Sequence, residues 1–387
     1  MELSILFLGT QIAVGGAQRV LLTQAQWFYE RGYRVTAAFF YDKEHLQERW
    51  QVEHPFPVID LELRKVGNTS AENVMLLFGG LVRLWRLLRR ERFDVIQTFT
   101  PHSNLLGLPL AFLAGVPSRI ASHHGKIEDI SHLLELLHGK MVNSRIVSSL
   151  VTVSRRVSRL ATQTEGVNPD KIRLILNGVE IPPEDHFGQH DTQHVRGELG
   201  VDDDGHLVIS VGRLTSQKGH AVLLEAAPLV LKQFPKTIFA IVGDGPLRGA
   251  LEKQVISLGI EKVVCLMGVR DDVFRLLHAA DVFALPSLSE GLPMALLEAM
   301  GMGIPILASE LEGIASVVEH EKHGLLIPSG EVESFSLSLI RLLEDAAFRE
   351  KLAQAGKRLV LTNFTLDRMC EEYEQVFLRG IDRRIIE

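Results

Sequence analysis

The chain has 387 residues, 46% hydrophobic and 23% charged, with a net charge of −7. At ~150 residues per domain it holds two or three domains with buried cores, and this balance excludes a disordered chain and a general nucleic-acid binder. Two cysteines, Cys265 and Cys370, lie too far apart for a disulfide framework or a metal-ligand spacing, which fits a reducing compartment.

The N-terminus is apolar but lacks the basic flank and length of a secretory signal, so residues 3–8 read as a buried first strand. No run approaches the ~20 apolar residues of a membrane span, and a cytoplasmic protein is expected. Short β-branched runs then alternate with longer amphipathic segments, the pattern of parallel sheets covered by helices. Strands are predicted at 4–8, 34–40, 94–98, 118–122 and 149–153, and helices at 17–31, 73–92, 103–114 and 131–146. Residues 177–205 break the pattern with Pro182-Pro183, several acids and three histidines, and 181–205 reads as a surface linker. Alternation restarts with strands at 206–211, 237–242, 263–267, 282–285, 305–308 and 324–327. The charge is uneven: residues 1–180 carry 21 Lys and Arg against 17 Asp and Glu, the remainder 20 against 31.

In open parallel sheets ligands sit beyond the carboxyl ends of strands, so the loops there are the candidates for chemistry. Gly15-Gly16-Ala17-Gln18, between the first strand and helix, permits a loop that approaches a ligand closely at a helix N-terminus. Ser122-His123-His124-Gly125 ends a predicted strand; adjacent strand residues point opposite ways, so at most one histidine faces a site. Gly212 to Gly219 pairs a turn-forming glycine with Arg213 and Lys218; an Arg fork and a Lys point charge suit a diphosphate, although two solvated loop cations would read the same. Val242 to Arg248 superficially suggests a dinucleotide fingerprint but has Arg248 in place of the third glycine, so it reads as a strand-to-helix turn. Glu290-Gly291-Leu292-Pro293-Met294 leads into a helix with Pro293 in its first turn. The amides of Gly291 and Leu292 then lie at the positive helix end, suited to an anion. Glu298, inside that helix among apolar neighbours, suits the two hydroxyls of a ribose. Asp202-Asp203-Asp204 reads as solvated surface, and no Asp-x-Asp metal string stands at a candidate site.

Taken in order, Gly15-Gly16, His124-Gly125, Asn177-Gly178-Val179, Gly212-Arg213 with Lys218-Gly219, Gly243-Asp244-Gly245-Pro246, and Glu290 through Glu298 resemble the retaining glycosyltransferases of family GT4 (glycosyltransferases group 1). The resemblance spans nearly the whole chain and is strongest in the C-terminal half. It implies an α/β, GT-B architecture, with two Rossmann-like domains facing each other across a cleft. The acceptor-side domain would be 1–180, the linker 181–205 and the nucleotide-sugar domain 206–360, with 361–387 a helix returning to the first domain. It implies transfer of a sugar from a nucleotide diphospho-sugar, UDP- or GDP-linked, to a saccharide or lipid-linked acceptor, with no tightly bound cofactor and no metal. Arg213 and Lys218 would hold the diphosphate and Glu298 the ribose. Glu290 and the amides of Gly291, Leu292 and Met294 would position sugar or phosphate. The loop at Gly268-Val269 would meet the base, Gly16 would approach from the other domain, and His124 would contact the donor sugar as the active-site histidine. Two further readings fit the same architecture: a nucleotide-sugar 2-epimerase, and a catalytically silent nucleotide-sugar binding subunit.

The run 83–92, with five arginines among leucines, is a basic amphipathic helix. It packs its leucines on the sheet or lies at the inner face of an anionic membrane.

Overall fold

The computed structural model describes residues 3–13, 15–65, 67–123 and 132–386. The chain divides into two compact units, Met1–Asn177 with Leu366–Glu387, and Gly178–Thr365.

The first unit holds a parallel sheet of β1 (Ser4–Ile12), β2 (Arg34–Asp42), β3 (Val58–Asp60), β4 (Val95–Thr98), β5 (Ser118–His123), β6 (Ser149–Thr152) and β7 (Ile172–Leu174), in the order β3-β2-β1-β4-β5-β6-β7. Ile5, Leu6, Phe7 and Leu8 are fully buried, as expected of a strand covered on both faces. β1 runs past its predicted end because Gly9, Gln11 and Ile12 keep register with Phe39, Tyr41 and Asp42. The predicted set lacks β3 and β7. These are three-residue edge strands, too short to show a period. The helices Gln47–Glu53 and Arg155–Gln163 were also absent from it.

One face of this sheet carries helices Ser70–Glu91, Pro101–Ala114, His132–Asn143 and Arg155–Gln163, which contribute Leu84, Leu88, Leu108, Val142 and Ala161 to a common core. Ser70–Glu91 opens on a capping box, the Thr69 hydroxyl accepting from the Glu72 amide and the Glu72 carboxylate from the Thr69 amide. The leucines of 83–92 therefore pack on the sheet. The other face carries Gly16–Glu30 and Leu366–Ile386, which pack on each other, the latter also on β5. The rings of Phe28 and Phe377 lie 5.3 Å apart there, and Trp27 Nε1 donates to Asp367 Oδ1 at 2.7 Å.

The second unit repeats the topology. Its parallel sheet comprises β8 (His206–Val211), β9 (Thr237–Val242), β10 (Val264–Gly268), β11 (Val282–Leu285), β12 (Ile306–Ser309) and β13 (Leu325–Ile327), in the order β10-β9-β8-β11-β12-β13. Each sheet thus reverses its strand order next to its first strand, the switch point of a doubly wound Rossmann-like fold. Residues 181–205 differ from the expected linker: they include the helix Gln189–Glu198, with Val195 buried. This helix packs against Val273–His278, and Arg275 donates to Asp191 at 3.1 Å. Its sequence, with a single buried apolar residue, has no amphipathic stripe to announce it.

Candidate active site

In the second unit the loops at the carboxyl ends of β8 to β11 are sewn together through their backbones. The Leu214 amide donates to Asp244 O at 3.0 Å, Gly243 to Gly268 O at 2.7 Å, and Leu288 to Gln217 O at 2.8 Å. Gly219 has φ +62°, and a Cβ there would lie 2.1 Å from Pro286 O. Only glycine allows the β8 loop to lie against the β11 loop. Gly243 to Leu247 brace the β8 loop, since Leu247 donates to Leu214 O and the following helix begins only at Arg248. This agrees with a strand-to-helix turn and not a dinucleotide fingerprint.

Two expected residues meet here. Lys218 Nζ donates to Glu290 Oε1 at 2.6 Å, and the buried Ser287 hydroxyl donates to the same oxygen at 2.8 Å. Glu290 is buried, so a charged carboxylate there is stabilised by the adjacent cation and hydroxyl. Arg213 is exposed in the same loop as Lys218 and forms no ion pair among the described residues.

Pro293 is the N-cap of helix Met294–Gly301, with extended φ −70° and ψ 129°, one position earlier than predicted. The amides of Gly291, Leu292 and Met294 donate to no backbone carbonyl among the described residues, and they stand at the positive end of the helix dipole. Glu298, one turn in, is 2% exposed. Gly268, at the end of β10, has φ +71° and leads into the exposed Val269. Arg270 then anchors the loop by hydrogen bonds to Glu198 and Asp272.

Three residues of this site, Ser287, Gly313 and His220, escaped the sequence reading. Gly313, in the short helix Glu312–Ala315 after β12, would place a Cβ 1.6 Å from Gly291 O, so the Glu290-Gly291 backbone rests on it. No local signal marks that contact, which joins chain segments 22 residues apart. His220 opens helix His220–Leu231 and is buried. Burial first, and the Lys218 charge second, push its imidazole down to about 4, so it is neutral at pH 7. Its position directly after Lys218-Gly219 was the available signal.

In the first unit Gly15 is the extended N-cap of helix Gly16–Glu30, and a Cβ on Gly16 would meet open space. His124 lies outside the described residues. His123, the histidine that the resemblance does not assign to the site, is buried with Nε2 2.8 Å from Glu165 Oε1. His138 Nδ1 lies 2.6 Å from Glu165 Oε2, and its Nε2 lies 2.9 Å from Asn104 Nδ2. Because Thr98 Oγ1 donates to Asn104 Oδ1 at 2.5 Å, the Asn104 nitrogen is the donor to His138. His138 must then carry its proton on Nδ1 and donate it to Glu165. Burial alone would raise the Glu165 carboxyl, but hydrogen bonds from His123 and then His138 outweigh it and hold it at about 2. Glu165 and His138 were not singled out from sequence, because each stands alone in its own helical segment or turn.

Comparison with known proteins supplies the chemistry. The family model of glycosyl transferases group 1 matches residues 191–359, and that of glycosyltransferase family 4 matches residues 14–181. A UDP-Gal:alpha-D-GlcNAc-diphosphoundecaprenol alpha-1,3-galactosyltransferase of Escherichia coli is 28% identical over 80% of this chain and 82% of its own. The lipopolysaccharide core biosynthesis glycosyltransferase LpsE of Rhizobium meliloti (strain 1021) is 25% identical over 94% of this chain and 95% of its own. The crystal structure of Anabaena HepE in complex with UDP and glucose superposes with a TM-score of 0.83 at 22% identity, covering 96% of this chain and 98% of that one. With two Rossmann-like sheets of one strand order and both halves matched in sequence, the chain belongs to the GT4-type glycosyltransferases of GT-B fold.

Proposed function

We propose that the protein transfers a sugar from a UDP-sugar to a lipid-linked saccharide in lipopolysaccharide or polysaccharide assembly, with retention at the anomeric carbon and without a metal ion, in the cytoplasm at the membrane face. The observation that carries this reading is the Lys218–Glu290 pair at the switch point of the second sheet, beside the exposed Arg213. The relative that acts on a diphosphoundecaprenol-linked sugar, and the UDP complex of the structural neighbour, support the acceptor and the base.

In this reading Lys218 and Arg213 neutralise the diphosphate and Glu298 accepts the ribose hydroxyls. The amides of Gly291, Leu292 and Met294 hold sugar or phosphate, and Gly268-Val269 borders the base. Glu290, held by Lys218 and Ser287, lies beside the sugar. The bond from the anomeric carbon to the diphosphate oxygen breaks while a bond to the acceptor oxygen forms on the same face. The acceptor proton passes to the departing phosphate. Negative charge grows on that phosphate in the transition state, where fixed cations and amides contribute most.

Thermal unfolding with UDP, GDP, ADP and NAD, without added metal and then with it, tests the donor site. Ligand at 100 times its Kd adds about 2.7 kcal/mol. Stabilisation by UDP alone is expected. In Glu298→Ala the Kd should rise about 10- to 150-fold, the equivalent of a lost hydrogen bond to a charged group. A folded Glu298→Ala variant with unchanged UDP affinity overturns the ribose assignment; stabilisation by GDP alone replaces the base.

A further inference from the structure

Helix Leu366–Ile386 lies on β5, and Gly380 sets how closely: a Cβ there would lie 2.1 Å from Ser118 Oγ. The register pairs Ile120 with Ser149 and Val151 with Arg173, and strand residues two apart share a sheet face. Ser118, Ser149 and Arg173 therefore all face this helix. Between the helix and the amino end of β6 is a cleft of about 260 Å³, open to solvent. It is lined by Ser148, Ser149, Arg173, Val376, Arg379 and Gly380.

Two of these residues are arginines and none is acidic. Arg173 Nη1 donates to Asp170 O at 3.0 Å and to Ile172 O at 2.7 Å. These bonds fix its guanidinium and leave its other nitrogens unengaged among the described residues. Arg379 is exposed and bonds to nothing among the described residues. Other cations at this end of the sheet behave differently. Arg119 donates to Ile146 O and Arg145 O, and Lys171 to Ser144 O and Val147 O, so each closes off backbone carbonyls. Ser149 supplies an independent sign of a ligand. It is only 9% exposed, yet its hydroxyl has no hydrogen-bond partner among the described residues. A nearly buried hydroxyl left unpaired is costly, and an acceptor within the cleft would satisfy it.

We propose that this cleft binds a phosphate group, held by the guanidiniums of Arg173 and Arg379 and by the Ser149 hydroxyl. It is a site other than the donor site of the second unit. Guanidinium forks match the oxygen spacing of a phosphate, and the hydroxyl adds a third donor. Arg379 belongs to the last helix, whereas Ser149 and Arg173 belong to β6 and β7. A bound phosphate therefore ties that helix to the sheet and stabilises the folded first unit by mass action. Free phosphate and a small phosphomonoester present the same group; Val376 offers the carbon part of an ester an apolar wall.

The experiment is calorimetric titration of the full chain with inorganic phosphate and with glycerol 3-phosphate. Ionic strength is held constant, and UDP is present in excess to occupy the donor site. Saturable binding is expected, weakened about tenfold or more in Arg379→Gln, the equivalent of a lost charge-assisted hydrogen bond. Arg379→Lys keeps the charge without the fork and should recover part of that loss. Ser149→Ala should weaken binding about 2- to 10-fold, as for one neutral donor. Unfolding temperatures without phosphate should match the parent in all three variants, which shows that they fold. Tighter binding of glycerol 3-phosphate identifies an ester as the ligand, and equal affinity identifies free phosphate. No saturable binding of either probe, or an Arg379→Gln variant that binds as the parent does, overturns the proposal. Failure of UDP to bind would remove the donor reading and leave this site standing, because the site is read from the loss of phosphate binding in Arg379→Gln.

Discussion

In the second unit, polar groups gather at the carboxyl ends of the strands, where Lys218, Ser287 and Glu290 meet across two loops. In the first, a polar cluster lies inside the fold: His123, Glu165, His138, Asn104 and Thr98 bond one another behind the end of β5. Both sheets have the same strand order around β1 and β8. The topology therefore provides a switch point in each, and the placement of charge decides what each can do. A carboxylate held by a partly accessible lysine can exchange that partner's attention for a phosphate. A carboxylate sealed between two histidines can only hold the strand end and the helix beneath it.

The sharpest way to break this contrast is Lys218→Ala. If the lysine meets charge that develops in the transition state, turnover should fall about 100- to 1000-fold, as for loss of one preorganised donor, while Lys218→Arg recovers part of it. Steady-state transfer assays with the UDP-sugar check this, and a near-normal rate in the alanine variant would reduce the pair to a structural brace. Glu165→Gln should leave donor affinity unchanged but cost about 2–4 kcal/mol of stability, since a buried charge-assisted network loses its centre. Its acid response carries a signature. The Glu165 carboxyl is near 2 when folded against an ordinary 4.5, so the stability it contributes is complete above about pH 4.5 and is lost as pH falls toward 2. Urea unfolding through that window should show a slope in the parent that the glutamine variant lacks. The smallest effect concerns His220. Its folded value of about 4 lies below the ordinary 6.5, so the unfolded chain binds the extra proton, and stability falls as pH drops from 6.5 to 4, by roughly 1–3 kcal/mol. His220→Gln should flatten that window. A parent whose stability does not change between pH 6.5 and 4 would contradict a neutral buried imidazole. The second unit would thus feel acid first and the first unit later.

The long strands and the helices with clear apolar stripes were legible in the sequence, because burial on one stripe or both faces writes a period into the residues. The three-residue strands Val58–Asp60 and Ile172–Leu174 and the helix Gln189–Glu198 were not. Their partners in space, not their own patterns, hold them in place. At the candidate site Lys218 and Glu290 stood out as charged residues beside glycines in loops that follow buried strands, and Glu298 as a charged residue among apolar neighbours inside a helix. Gly313 was invisible, since the requirement for glycine arises from a carbonyl of a different loop.

By itself the sequence determined that this is an α/β chain with two alternating halves, and which charged residues stand at strand ends, because periodicity and local composition are properties of the chain alone. The tertiary structure alone decided which of those residues touch. It paired Lys218 with Glu290 across 72 positions and sealed Glu165 between two histidines. It also sank the leucines of 83–92 into a core while leaving Met75 and Phe78 outside. Such contacts depend on how distant segments are brought together, and no local pattern encodes that distance.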